Sequence, residues 1–260
     1  MKKTALFLLL ITCFIACKNK ENNSITDQSE KEEQVQKNNK AEEYLKEVSI
    51  THQTEEYNSH KAIRFQTVST LDKPALRVSL STNLNGFKIQ TEDSKFLYFD
   101  GNKLYSSEKK LPEDLLNYML STVYYFSLPY HLENLTAEVL NHKSTDRLLN
   151  SEFSSLTLKL KENILQQTTE EIKVFSAPKT SFLTAVEFSQ SSKNPPILVY
   201  QNYFSIGKII IAKYWEFYDA AEEENPVLTE KITLSGVNFF TPQKDFFKIP
   251  ENTYKINFSH

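Results

Sequence analysis

The sequence predicts a mostly β domain with helices, an α+β fold built on one large curved antiparallel sheet of about ten or eleven strands wrapped around or closed by helices. Three observations carry this. From residue 62 onward, apolar residues alternate with polar ones at period two in segment after segment. Asn85-Gly86 and Asp100-Gly101 stand between such segments and supply the positive φ angles that tight hairpins need. No strand–helix–strand alternation occurs, so a parallel sheet is not expected.

The chain opens with Met1-Lys2-Lys3, then the apolar run Ala5-Leu6-Phe7-Leu8-Leu9-Leu10-Ile11, then Thr12-Cys13-Phe14-Ile15-Ala16-Cys17. A positive start, a short apolar run and a small residue before a cysteine make a secretory signal. The run is too short to cross roughly 30 Å of hydrocarbon as a helix. Phe14-Ile15-Ala16-Cys17 resembles a bacterial lipobox, in which cleavage precedes a cysteine that has been diacylated on its sulfur; the other reading is an ordinary signal peptide with an incidental cysteine. Residues 1–16 are thus expected to be removed and Cys17 to carry the lipid. Each buried methylene contributes about 0.8 kcal/mol, so two or three acyl chains hold a protein at a bilayer durably. With Cys13 gone, Cys17 is the last cysteine, which leaves no disulfide and no thiol chemistry for the domain.

From Lys18 to about Lys40 the residues are almost all polar, with Ile25 and Val35 as the apolar ones, too few to order the segment. Residues 17–40 therefore read as lipidated cysteine and tether, reaching roughly 25 Å on average. Residues 41–260 read as a single domain. Ala41 to about Tyr57 carries Tyr44, Leu45 and Val48 at helical spacing behind Glu42 and Glu43. Strands follow at residues 62–68, 75–80, 87–91, 96–99 and 103–105.

Leu111 to Phe126 interrupts them. Pro112 suits a first helical turn, Glu113 and Asp114 face its positive end, and Leu115, Leu116, Met119, Leu120, Val123 and Tyr124 recur at helical spacing. The helix is expected to stop near Ser127-Leu128-Pro129, because proline disfavours helical geometry in the residue before it. Beyond it, residues 156–161, 172–175, 183–188, 197–200, 209–218 and 232–234 read as further strands with one apolar face.

The stretch Tyr124-Tyr125-Phe126-Ser127-Leu128-Pro129-Tyr130-His131-Leu132 is followed by Glu171-Ile172-Lys173-Val174-Phe175, a turn at Ala177-Pro178-Lys179-Thr180, and Leu183 to Phe188. Tyr203-Phe204-Ser205-Ile206-Gly207-Lys208 and Trp215-Glu216-Phe217-Tyr218 complete the succession. This order of elements, over roughly residues 41–255, resembles the LolA/LolB-like envelope lipoproteins and carriers, most of all the uncharacterised lipoproteins of that superfamily. The resemblance implies a half-open β-barrel with helices against its concave face. The carriers are shuttles without an anchor, whereas this chain keeps Cys17, which favours a stationary or receptor-like role. By the sorting rule of Gram-negative bacteria, Lys18 rather than Asp after the cysteine implies the outer membrane, with the leaflet left open.

Enzymatic motifs are absent from the sequence. The four glycines, Gly86, Gly101, Gly207 and Gly236, cannot build a phosphate cradle. The five histidines, His52, His60, His131, His142 and His260, form no HExxH or His-x-His pair, so no metal is expected and each reads as structural or exposed. No Gly-x-Ser-x-Gly turn occurs, which argues against one hydrolase arrangement although not against every convergent triad. Glu222-Glu223-Glu224 are adjacent, unlike the acid pairs that glycosidases hold across a cleft. Net charge is -3, with 30 basic and 33 acidic residues, which is not the field of a nucleic-acid binder.

The expectation is therefore a protein that is not an enzyme and has no cofactor. It binds a lipid or other hydrophobic ligand in the concavity, against Leu116, Met119, Val123 and Tyr124. The alternative is a structural or interaction lipoprotein whose 18 Phe and 13 Tyr help fill the core and whose outer surface docks another envelope protein. Its expected partners are the membrane through the anchor, that ligand or that protein, and no nucleic acid.

Overall fold

Period-two alternation places one side of each strand in the core. In β1 (Ala62–Ser69), Ile63, Phe65 and Thr67 are buried while Arg64 and Gln66 are exposed. The computed structural model describes residues 39–161, 171–189, 196–219 and 226–256. Strands β2 (Leu76–Ser81), β3 (Phe87–Thr91), β4 (Phe96–Phe99) and β5 (Leu104–Ser106) continue a meander from β1. A second meander comprises β6 (Thr136–Leu148), β7 (Ser151–Leu160), β8 (Glu171–Ser176), β9 (Leu183–Phe188), β10 (Pro196–Ile206), β11 (Ile209–Asp219) and β12 (Val227–Phe240). The two join where β1 pairs with β12, and β13 (Tyr254–Lys255) adds to β5. The result is one open, curled, antiparallel sheet in the order β13-β5-β4-β3-β2-β1-β12-β11-β10-β9-β8-β7-β6. Among the described residues, those from Glu43 onward group as one compact unit.

Thirteen strands stand among the described residues where ten or eleven are expected. The additions are β6 and β13. β6 hides because it is an edge strand with polar residues on both sides and shifts register against β7 three times, which destroys any period of two. β13 is two residues long.

The expected helix over 41–57 is two. Helix α1 spans 39–51, and α2 (Thr54–Ser59) follows a break at Gln53, whose φ of 57° is left-handed. Gln53 is in the place after a helix end that glycine or asparagine usually takes, with its side-chain amide donating to the Ile50 carbonyl at 2.9 Å.

Helix α3 (Glu113–Leu135) passes through Pro129 and does not stop at residue 127. Pro129 has no N–H for the Tyr125 carbonyl four residues back. That carbonyl instead accepts the Tyr200 hydroxyl from β10, at 2.8 Å. A tertiary hydrogen bond therefore replaces the missing helical one. The far end is closed by Lys161, whose backbone N–H donates to the Leu135 carbonyl and whose ammonium donates to that of Asn134, both at 2.8 Å.

The two expected hairpin glycines differ. Gly101 has a φ of 92°, inside a turn where Asp100 Oδ1 accepts two backbone N–H groups. Gly86 has no positive φ; Leu84 carries it instead, at 61°. Gly86 is a close approach instead, since a Cβ there would lie 3.1 Å from the Phe247 ring and press on it. The expected signal, Cys17, most of the tether and Glu222-Glu223-Glu224 lie outside the described residues.

Candidate functional site

Helix α3 is apolar on nearly every side of its C-terminal half, and residues 126–132 are all buried. A helix of that composition must be covered all round. Phe126 stacks on Phe65 of β1 with ring centres 4.2 Å apart. Tyr125 meets Phe188 of β9 at 5.5 Å and Phe217 of β11 at 5.3 Å. From α2, Tyr57 stacks on Tyr130 at 4.1 Å with the rings 4° from parallel, and stands edge-on to His131. Fully burying one such ring contributes about 1.5–3 kcal/mol.

The residues expected to line a ligand cavity are on this helix, near its middle. Met119 and Val123 have no exposed surface, Tyr124 is buried and Leu116 is half-buried. Two concavities of the described fold, one inner and one outer, are lined by none of the four. The inner one lies a turn further along, bounded by Tyr125, Phe126, Pro129, Tyr130, Tyr200 and Trp215 among others, and holds about 10 Å³. That is at the lower limit for one water. An acyl chain does not fit in it.

Polar atoms in this interior are mostly committed. The Tyr130 hydroxyl donates to the Ile210 carbonyl at 2.7 Å, and the Tyr203 hydroxyl to the Leu183 carbonyl. His52 Nε2 accepts the Leu183 N–H at 3.1 Å, so the neutral ring carries its proton on Nδ1. Burial lowers the His52 pKa to about 4, opposed by the Ile210 backbone, and lowers that of His131 to about 4 as well. The hydroxyls of Thr122 and Ser127 donate to helix carbonyls at 2.8 and 2.6 Å, so neither is poised as a nucleophile. The Tyr57 hydroxyl and His131 Nε2 are buried without a hydrogen-bond partner. This α2–α3 contact is one polar weak point of the interior, and His52 Nδ1 is another.

Tyr57, Tyr130 and the two buried histidines do not stand out in the sequence, because the expected helix end at residue 127 separates Tyr130 and His131 from α3. The helical spacing of Tyr130 and His131 behind Tyr124 and Phe126 was the available signal.

No family model matches the sequence, and none of the curated proteins does at a significant level. Solved structures do match the fold. A LolA superfamily protein from Nitrosomonas europaea superposes with a TM-score of 0.50 at 10% identity, over 80% of this chain and 97% of that one. A DUF1329 family protein from Desulfovibrio piger superposes at 0.53 and 7% identity, over 80% and 97% respectively. At such identities the likeness is one of fold. This chain has the fold of the LolA superfamily proteins.

Proposed function

We propose that this protein is an outer-membrane lipoprotein, anchored through Cys17 on a tether of residues 17–40. In this reading it acts as a stationary, receptor-like binding module without covalent chemistry, and its interior is occupied by its own helix α3. The observation that carries this is the packing around α3: Met119 and Val123 are fully enclosed, and the inner concavity a turn further along holds about 10 Å³. With the interior closed, recognition falls to the outer surface, and the partner class is another component of the envelope.

A second reading has a specific observation behind it. The unpartnered Tyr57 hydroxyl and His131 Nε2 lower the cost of separating α2 from α3. Such an opening would expose Tyr130 and His131 of α3 to an acyl chain. The ligand would then have to offset the lost packing of the helices.

The test is mass spectrometry of organic extracts from the full chain carrying Cys17→Ser, secreted and purified without detergent. The filled interior predicts no stoichiometric lipid. One phospholipid or acylated molecule per chain would replace the first reading with the second. The anchor is tested separately by labelling cells with tritiated palmitate: the wild-type chain takes up label and Cys17→Ser does not.

A further inference from the structure

The outer concavity is on the opposite side of the sheet. It is a groove of about 400 Å³ over the outward-facing side chains of β1, β2 and β3, bordered by Gly236 and Asn238 of β12 and by Phe246. That volume falls in the range of small-molecule sites. Three cations line it, Arg64, Arg77 and Lys88, and no carboxylate does. Strand register sets their spacing. Arg64 pairs with Ser79 and Ser79 with Lys88, so Arg64 and Lys88 lie two strands apart, about 10 Å between Cα atoms. Arg77 is on the strand between them, two residues along, about 8 Å from each. None of the ion pairs among the described residues involves any of the three, whereas Lys73, Lys95, Lys143, Lys173 and Lys231 all pair with carboxylates.

Two of the cations are held in place by uncharged neighbours. Arg64 Nε donates to Asn238 Oδ1 at 2.7 Å, and its guanidinium lies over the Phe240 ring at 5.3 Å. Asn238 is aimed there by a bulge: β12 shifts register between the partners of Arg64 and Gln66, and Gly236 takes a φ of 60° within it. Asn238 Nδ2 also donates to the Gly236 carbonyl at 3.1 Å. The two terminal nitrogens of Arg64 are left for a bidentate anion. Lys88 Nζ lies 4.9 Å from the Phe96 ring and 5.7 Å from Tyr98. Between the cations, Gln66, Ser79 and Gln90 offer uncharged donors and acceptors suited to hydroxyl groups.

We propose that this groove binds a phosphorylated sugar or polyol carrying two phosphates, one gripped by the Arg64 fork and the other by Lys88 and Arg77. The recognition chemistry is phosphate plus hydroxyl, and it comes either from a free sugar phosphate or from the headgroup of an anionic lipid. The site is independent of what occupies the interior, since the buried side of the same strands faces α3.

The experiment uses the Cys17→Ser full chain, with titration calorimetry of glucose 1,6-bisphosphate and co-sedimentation with vesicles of phosphatidylcholine with or without cardiolipin. The expected result is saturable binding of the bisphosphate that weakens steeply between 50 and 300 mM NaCl, because salt screens the attraction between exposed cations and phosphate. Arg64→Ala and Lys88→Ala should each weaken it at least tenfold, and Lys179→Ala, on the β8–β9 turn, should leave it unchanged. Asn238→Asp provides a variant that keeps the fold: it puts a carboxylate where the amide oxygen now holds Arg64, and should abolish binding while the thermal midpoint stays level or rises. Arg64-dependent sedimentation with cardiolipin vesicles, whose headgroup joins two phosphates through a glycerol, without binding of the soluble bisphosphate, identifies the lipid headgroup as the source. Absence of binding in both arms, or binding indifferent to Arg64→Ala and Asn238→Asp, overturns the proposal.

Discussion

Helix α3 and the α1–α2 segment behave in opposite ways at their breaking points. α3 contains a proline and runs on through it; the earlier segment contains none and breaks at Gln53. Local preference predicts the reverse. The difference lies in what the tertiary structure offers each backbone. At Pro129 a tyrosine hydroxyl from β10 takes the orphaned carbonyl, so the helix loses little by continuing. At His52 the ring is drawn into the core, where the Leu183 N–H donates to it, and the chain turns at the next residue to reach it. Helix ends in this protein are set by long-range hydrogen bonds more than by the residues at the ends.

Acid should strain both segments together, and this is the largest expected effect. His52 is at the break and His131 is two residues past the proline. Both native pKa values, about 4, lie below the unfolded value of 6.5. The unfolded chain therefore takes up these protons first, and stability that is complete above pH 6.5 is lost as pH falls toward 4. Each ring should contribute about 3 kcal/mol of loss by pH 4. Urea midpoints at pH 7 and pH 4 measure the sum, and His131→Gln should remove about half of it. A midpoint that does not move with pH would mean that the rings are not buried in neutral form.

Next in size is the coupling between Tyr200 and Pro129. Tyr200→Phe leaves the Tyr125 carbonyl buried and unpaired, a loss of about 1–3 kcal/mol. In a Pro129→Ala background the restored N–H fills that role, and the same Phe substitution should cost less than about 1 kcal/mol. The double-mutant cycle gives the coupling directly. Additive effects would mean that Tyr200 is not what carries the helix past its proline.

Smaller effects belong to α2 and the break. Tyr57→Phe deletes a buried hydroxyl without a partner and keeps the stack on Tyr130, so it should stabilise by about 1 kcal/mol. Gln53→Gly should relieve the left-handed strain for a gain of up to about 1 kcal/mol, reduced by the lost bond to Ile50. Thermal midpoints decide both. A loss of stability in Tyr57→Phe would show that the hydroxyl has a hydrogen-bond partner.

Much of this architecture is legible from the residues. Leu156 to Leu160 alternate faultlessly and form the inner face of β7, and Phe65 and Ile63 do so in β1. Periodicity reports which side of an element is apolar. It is silent on β6, where three register shifts scatter the pattern. It is equally silent on whether an apolar interior is full, because Met119 and Val123 look alike in a packed core and in a ligand pocket. The groove over β1–β3 escapes a sequence reading for another reason: Arg64, Arg77 and Lys88 become neighbours only through strand register, and along the chain they read as ordinary solvent-facing residues.

An open sheet has two free edges, and each is a template on which another copy could add a strand. One ends in the two-residue strand β13, too short to recruit a partner. The other is β6, thirteen residues long, which would be the more dangerous were it regular. Its repeated slips in register, together with Glu138, Lys143, Asp146 and Arg147 along its length, leave no flat run of amides for a second chain to match. The irregularity that conceals β6 from a pattern search thus protects the protein against edge-to-edge aggregation.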